Sequence, residues 1–211
     1  MNTNEMDWCQ KYRPSNIQEV ITPLGIRGKL NRLVKRRGGI SLLFWGRPGC
    51  GKTTVAELIN PENNYFINCS LHNDMNTIRL IERSCSSGTV TGDGRRLIIL
   101  DEADNLTNGA QLAIRGVVEK LSICNDFIMT ANDPNLLSEA VRSRFLPINF
   151  DMNRSKELSK MLSDRLCFIA KNEGHENPDL DLIEGIVVKN FPDLRRMIKT
   201  LQFELMDTEI V

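Results

Sequence analysis

The chain has 211 residues, 41% of them hydrophobic, with 27 Lys+Arg against 27 Asp+Glu, which allows one sizeable core plus a small second domain in an ordinary folded protein. The balanced charge predicts no whole-chain attraction to nucleic acid or membrane, although a local basic face stays open. Six scattered cysteines without a Cys-x-x-Cys pair, and only two histidines, argue against a zinc site and a secreted disulfide framework; Met1–Gln10 lacks a signal-peptide core and no apolar run approaches a membrane span, so the cytoplasm is the expected location.

In chain order, Arg13-Pro14 and Thr22-Pro23 predict an N-terminal segment that is extended rather than helical. Lys35-Arg36-Arg37 reads as the basic end of a helix more readily than as a DNA site. Five short apolar runs follow: Ser41–Trp45, Tyr65–Cys69, Leu97–Leu100, Phe127–Ala131 and Leu146–Phe150. They are nearly continuous, which suits parallel strands buried on both faces. Helix-period segments at Thr53–Ile59, Met75–Cys85 and Gly109–Leu121 lie between them. In the last, Leu112, Val117 and Leu121 are expected to share a buried side, with Ile114 nearby. The alternation predicts a doubly wound α/β domain over residues 1–150.

After Phe150 the pattern becomes helical throughout. Leu158, Met161, Leu162, Leu166 and Ile169 recur at helical spacing within Lys156–Glu173, and Gly174 is placed to end that helix. Leu182–Val188 predicts a second helix, and Asp193 is placed to cap a third from about Leu194 to Met206. Residues 151–211 therefore read as a small three-helix domain.

Gly46-Arg47-Pro48-Gly49-Cys50-Gly51-Lys52-Thr53 fits the Walker A pattern in full, between a predicted strand and a predicted helix. Glycines let backbone N–H groups approach phosphate oxygens, and the following helix adds the positive end of its dipole. Gly49, Cys50, Gly51, Lys52, Thr53 and Thr54 are the expected phosphate-binding set. Lys52 would reach the β- and γ-phosphates and the Thr53 hydroxyl would ligate Mg²⁺; an ordinary Gly-rich turn is the weaker alternative. Leu97-Ile98-Ile99-Leu100-Asp101-Glu102 supplies two carboxylates at a strand's C-terminal edge, where open α/β sheets bind ligands. Asp101 would hold Mg²⁺ through its water shell and Glu102 would polarise the attacking water. Asn132 ends another strand in an amide able to hold that water or touch the γ-phosphate. Taken alone it reads equally as the start of the turn Asn-Asp-Pro; strand order favours the functional role.

In this order the motifs resemble those of AAA+ ATPases. Further stretches are similar to the clamp-loader branch, the replication factor C small subunits and their tailed-phage equivalents: Gln10-Lys11-Tyr12-Arg13-Pro14-Ser15, Asp101-Glu102-Ala103-Asp104 followed by Gln111 and Ile114-Arg115, Ser143-Arg144-Phe145, and Phe191-Pro192-Asp193-Leu194-Arg195-Arg196. The resemblance implies a P-loop AAA+ fold, a five-stranded parallel sheet flanked by helices and followed by a helical lid. It implies an adenine pocket lined by Cys9, Gln10, Lys11, Tyr12 and Ile21, although Tyr12 also reads as a core aromatic. Arg195 is expected to reach the γ-phosphate from the lid, or otherwise to be a solvated arginine. Arg144 is expected to enter a neighbour's ATP site in trans, the alternative being a surface arginine. Arg79 resembles a DNA-facing position and reads equally as a charge on a solvated helix face. The implied partners are other clamp-loader subunits, a sliding clamp and primer–template DNA, with no membrane.

Two departures stand out. Phe145 replaces the family's cysteine at a position expected to pack. The chain also stops soon after the second-sensor helix, at Asp207–Val211, so the family's C-terminal collar is expected to be absent and stable pentamer formation is in question. The expected function is ATP-driven clamp loading. An AAA+ remodeller or initiator, and a structural subunit that never turns over, are the alternatives; the Lys-Tyr-Arg-Pro box argues against the first, and intact Lys52, Thr53, Asp101 and Glu102 against the second.

Overall fold

The structure, a computed structural model, describes residues 7–35, 39–86 and 95–206. Its contacts divide the chain into two compact units. A helical unit takes the described residues of Met1–Pro23 and of Asp151–Val211, with Arg47–Gly51; a sheet unit takes the described residues of Leu24–Gly46 and Lys52–Phe150. The sequence expectation had run its first domain from residue 1 to residue 150. In chain order the elements are α1 (Trp8–Lys11), α2 (Leu24–Lys35), β1 (Ser41–Trp45), α3 (Lys52–Ile59), β2 (Asn64–Asn68), α4 (Met75–Ser86), β3 (Arg96–Asp101), α5 (Asn108–Leu121), β4 (Asn125–Ala131), α6 (Glu139–Arg142), β5 (Leu146–Asn149), α7 (Lys156–Asn172), α8 (Leu180–Asn190) and α9 (Leu194–Met206).

The five strands form one parallel sheet in the order β2-β3-β4-β1-β5. Trp45 pairs with Ala131 and Leu100 with Met129, so β1, β3 and β4 end along one edge. That edge carries the loops that follow each strand, where such sheets bind ligands. Leu43, Ile98, Leu100, Phe127 and Met129 pack with Ile78 and Ile81 of α4 and with Ile114, Val117 and Val118 of α5.

Double-sided burial holds for β3 and β4 but not for β2 and β5. These two are the sheet's edges, and Phe66 and Leu146 are 40% and 65% exposed. An edge strand has a neighbour on one side only, so its apolar residues are covered less completely. On α5 the buried residues are Ala110, Gln111, Ile114, Val117 and Val118, whereas Leu112 is 65% exposed. At about 100° per residue, Leu112 points away from the stripe that Ile114 and Val117 define. The N-terminal segment also departs from an extended path. Asp7 accepts from the Cys9 N–H at 2.9 Å and caps the turn α1, and α2 begins directly after Pro23. A proline restricts chiefly the residue before it, so helix forms on either side of the non-helical residues 12–23. Arg36 and Arg37 lie outside the described residues.

In the helical unit Ser155 caps α7 by accepting from Leu158 N–H at 3.1 Å. This helix buries Leu158, Leu162, Leu166 and Ile169, while Met161 is half-buried. The chain leaves it through Gly174 at φ 99°. Asp179 caps α8, and Asp193 accepts from Arg196 N–H at 2.9 Å at the start of α9. Among the described residues no helix is long and apolar enough to cross a membrane.

Replacing the fully buried Ile114 by Ala should lower stability by about 2–5 kcal/mol. Leu112→Ala should stay within about 0.5 kcal/mol of the parent. Urea unfolding of the two variants checks the stripe; equal losses would contradict it.

Candidate nucleotide-binding site

The site begins in the sheet unit, where Lys52 opens α3. Its ammonium donates to Gly46 O at 2.6 Å and to Asn132 Oδ1 at 3.0 Å, and the residue is 7% exposed. A buried cation needs oxygen partners of this kind. Asn132 follows β4, the immediate neighbour of β1, as strand order had led us to expect. Asp104 fixes its backbone: Oδ2 accepts from the N–H groups of Asn132 and Asp133 at 2.9 and 3.1 Å.

Asp101 ends β3 and is 7% exposed. Its Oδ1 accepts from the Thr53 hydroxyl at 2.7 Å and from the Thr130 hydroxyl at 2.7 Å. Hydrogen bonds to an ionised acceptor are short and strong, and these fix the carboxylate against both α3 and β4. Glu102 then takes a left-handed backbone, φ 55° and ψ 45°. A non-glycine residue there carries strain of order 1–3 kcal/mol. The Glu102 N–H donates to Thr130 Oγ1 at 2.9 Å, and its carbonyl accepts from Asn105 N–H at 3.0 Å. The half-buried Glu102 side chain leaves the strand end from this turn.

Thr130 and Gln111 received no site role from the sequence. Thr130 read as one more residue of an apolar strand. The Gln111 amide is buried and donates to Leu106 O and Leu136 O at 3.1 and 3.0 Å, while its Oε1 accepts from Ser138 N–H at 2.7 Å. It thus ties α5 to the segments that follow β3 and β4. A lone amide on an apolar helix face is the signal that could have exposed it.

In the helical unit, the loop tip Arg47–Gly51 is held by Arg47 N–H donating to Asp151 Oδ1 at 2.8 Å. Gly49 has φ 73°, and a Cβ on it would lie 1.8 Å from Asp193 Oδ1. Only glycine tolerates both the conformation and the approach. The loop tip therefore packs against the cap of α9, two residues before the exposed Arg195. Cys9 Sγ donates to Arg195 O at 3.4 Å, and Ile21 is buried. Gln10 and Lys11 are exposed. The Tyr12 hydroxyl donates to Glu173, its ring stands edge-on to Phe168 at 6.4 Å, and Lys11 pairs with Glu173 at 2.6 Å. Cys9, Gly49, Asp193 and Arg195 are thus brought together, while Lys11 and Tyr12 attach to α7.

The two remaining arginines lie on other parts of the sheet unit. Arg144 donates through Nε to Glu119 Oε1 at 2.8 Å, and its Nη2 completes an ion pair with the same carboxylate. Phe145 is buried in the core, as expected for its position. Arg79 is exposed on α4, with Nη1 3.4 Å from Asn76 Oδ1.

With this geometry in view, residues 42–151, just over half of the chain, match the model of the ATPase family associated with various cellular activities (AAA). The chain belongs to the AAA family. It is 34% identical over 208 residues to replication factor C small subunit 2 of Pyrobaculum aerophilum, covering 94% of this chain and 64% of that protein. It is also 34% identical over 210 residues to the replication factor C small subunit of Aeropyrum pernix, covering 94% of this chain and 62% of the relative. This AAA chain therefore spans a little under two thirds of the length of the curated relatives it matches. Among solved structures it superposes on the Thermotoga maritima RuvB Holliday junction branch migration motor with a TM-score of 0.72 at 20% identity, over 90% of this chain and 64% of the other. That likeness establishes the AAA+ P-loop fold, a parallel sheet followed by helices. The family also implies nucleotide binding.

One cysteine of this AAA chain lies in the field of the acidic edge. Burial pushes the Cys69 thiol up from 9.0 to about 12, and the carboxylates of Asp101, Asp104 and Glu102 add to the effect. The folded chain holds this proton to about pH 12 while the unfolded thiol releases it near 9.0, so the group is neutral to stability below pH 9.0 and favours unfolding as pH rises from there. At pH 8 iodoacetamide should modify the exposed Cys124 and leave Cys69 unlabelled in the native protein. Peptide mass mapping reads this out, and fast labelling of Cys69 would contradict it.

Proposed function

We propose that this chain is the ATPase subunit of a DNA-polymerase sliding-clamp loader, coupling ATP binding and hydrolysis to clamp opening and to loading on primer–template DNA. The likeness to replication factor C small subunits across 94% of the chain carries the clamp-loader part of this reading. The cluster of Lys52, Thr53, Asp101 and Asn132 supports the hydrolytic part.

In this account the loop amides from Gly49 to Thr54 grip the triphosphate, and the Lys52 ammonium balances charge on the β- and γ-phosphates. Thr53 and Asp101 would hold Mg²⁺. They fit it in their chemistry, because a hydroxyl and a carboxylate 2.7 Å apart are hard oxygen donors, and Mg²⁺ is commonly held by one or two carboxylates with substrate phosphates. The ion, when bound, would neutralise negative charge on the phosphate oxygens. Glu102 orients and polarises the attacking water, and Asn132, held by Lys52, gives that water or the γ-phosphate a second contact. Cys9, Gln10, Lys11, Tyr12 and Ile21 border the adenine.

Arg195 senses the γ-phosphate from α9. The packing of Gly49 on Asp193 supports this role, because it ties the start of that helix to the phosphate loop. Arg144 acts in trans on a neighbour's ATP, exchanging Glu119 for phosphate when subunits assemble. ATP then becomes an interface ligand, and assembly is coupled to hydrolysis. Arg79 would track the DNA backbone, a contact that positions without reading sequence.

Alone, the chain should turn over ATP slowly, with joint stimulation by primed DNA and the cognate clamp. Stimulation by an unrelated protein substrate without any clamp effect would overturn the clamp-loader reading. Lys52→Ala should abolish binding of a fluorescent ATP analogue. Arg144→Ala should leave that binding intact and lower turnover of the assembled complex by about three to five decades; a silent Arg144→Ala variant would refute action in trans.

A further inference from the structure

We propose that Thr130 is a positioning residue whose hydroxyl ties the Asp101 carboxylate to the Glu102 backbone and so sets the direction of both acids. This rests on the roles given above to Asp101 and Glu102. A threonine hydroxyl offers one proton and two lone pairs. At Thr130 the proton goes to Asp101 Oδ1 at 2.7 Å, and a lone pair accepts the Glu102 N–H at 2.9 Å. The residue is 1% exposed, so water does not substitute for either partner.

The register explains why this position can do so. Leu100 of β3 pairs with Met129 of β4, which brings the following residues, Asp101 and Thr130, side by side where β3 ends. Phe127 and Met129 face the α4–α5 core, and strand alternation turns Thr130 to the opposite face. Valine would fill the same space on a buried parallel strand without the cost of a hydroxyl, so packing alone does not call for threonine here. The hydroxyl matters because Glu102 lies past the end of β3 in a left-handed conformation, which persists only where its surroundings hold it. Asn105 holds the carbonyl side and Thr130 holds the N–H side. Thr53 shares Asp101 Oδ1, yet it belongs to the loop–helix segment that grips phosphate. Thr130 sits in the sheet and gives the carboxylate a partner independent of that segment.

The test uses Thr130→Val, which keeps the shape and removes the hydroxyl, with Thr130→Ser as the rescue. In the nucleotide-free full chain, hydrogen exchange at the Glu102 amide should speed up at least about tenfold in Thr130→Val and return to within about threefold of the parent in Thr130→Ser. In the ATPase assay, Thr130→Val should lower kcat at least about tenfold with KM for ATP within about threefold, and Thr130→Ser should recover kcat. Parental exchange at Glu102 in Thr130→Val would overturn the proposal, as would a Thr130→Ser variant as impaired as Thr130→Val. If Thr130→Val does not fold, Thr130→Ala takes its place under the same criteria. A parent chain that hydrolyses no ATP sinks the enzymatic reading instead, and the amide exchange then decides the role of Thr130 by itself.

Discussion

One carboxylate oxygen, Oδ1 of Asp101, accepts hydroxyl protons from Thr53 on α3 and from Thr130 on β4. Through it, the helix α3, the acidic strand β3 and the strand β4 that precedes Asn132 are fixed to one another within the sheet unit. Lys52 adds the second tie, from the loop's entry at Gly46 to Asn132. Site geometry therefore follows from strand order. With β1 between β4 and β5, and β4 beside β3, the chain ends that carry Gly46, Asp101 and Asn132 fall along one edge. A different order of the same strands would scatter these residues, however good the individual motifs.

The helical unit repeats the theme by other means. Gly49 accepts the close approach of Asp193, the cap of α9, because it has no side chain. Cys9 reaches the carbonyl of Arg195 on the same helix. The start of α9 is thus held by the phosphate loop on one side and by α1 on the other. The proposed role of Arg195 rests on this short path from the loop to the start of α9.

Much of this was legible from residue order. The Walker loop, the acidic strand end and the capped helices α7 to α9 are local patterns, each determined by a few adjacent residues. The structure follows α7 and α9 to within one residue, whereas α8 runs two residues further at either end. What escaped depends on contacts distant in sequence. Thr130 has no local signature, and its importance comes from Asp101 and Glu102, which lie 29 and 28 positions away. Gln111 likewise acquires its role from Leu136 and Ser138. An X-Pro pair restricts mainly one residue, so the extended reading of the N-terminal segment hides the turn α1, whereas the basic run that starts at Lys35 does mark the end of α2. Leu112 is expected on the buried side with Val117 and Leu121 by helical spacing, but its angular position relative to Ile114 and Val117 puts it outside. Edge exposure on β2 and β5 needed the strand order, which apolar runs alone do not contain.

The central claim is that main-chain amides, Lys52 and the Thr53–Asp101 pair together make a site for magnesium–ATP. Isothermal titration calorimetry of the purified chain, with ATP in Mg²⁺ and then in excess chelator, tests it most directly. The account predicts saturable one-site binding in about the micromolar-to-millimolar range usual for enzyme substrates, at least about tenfold weaker once the cation is removed, because phosphate charge then lacks its counter-ion. A folded chain that gives no binding heat, or the same affinity with and without Mg²⁺, would contradict it.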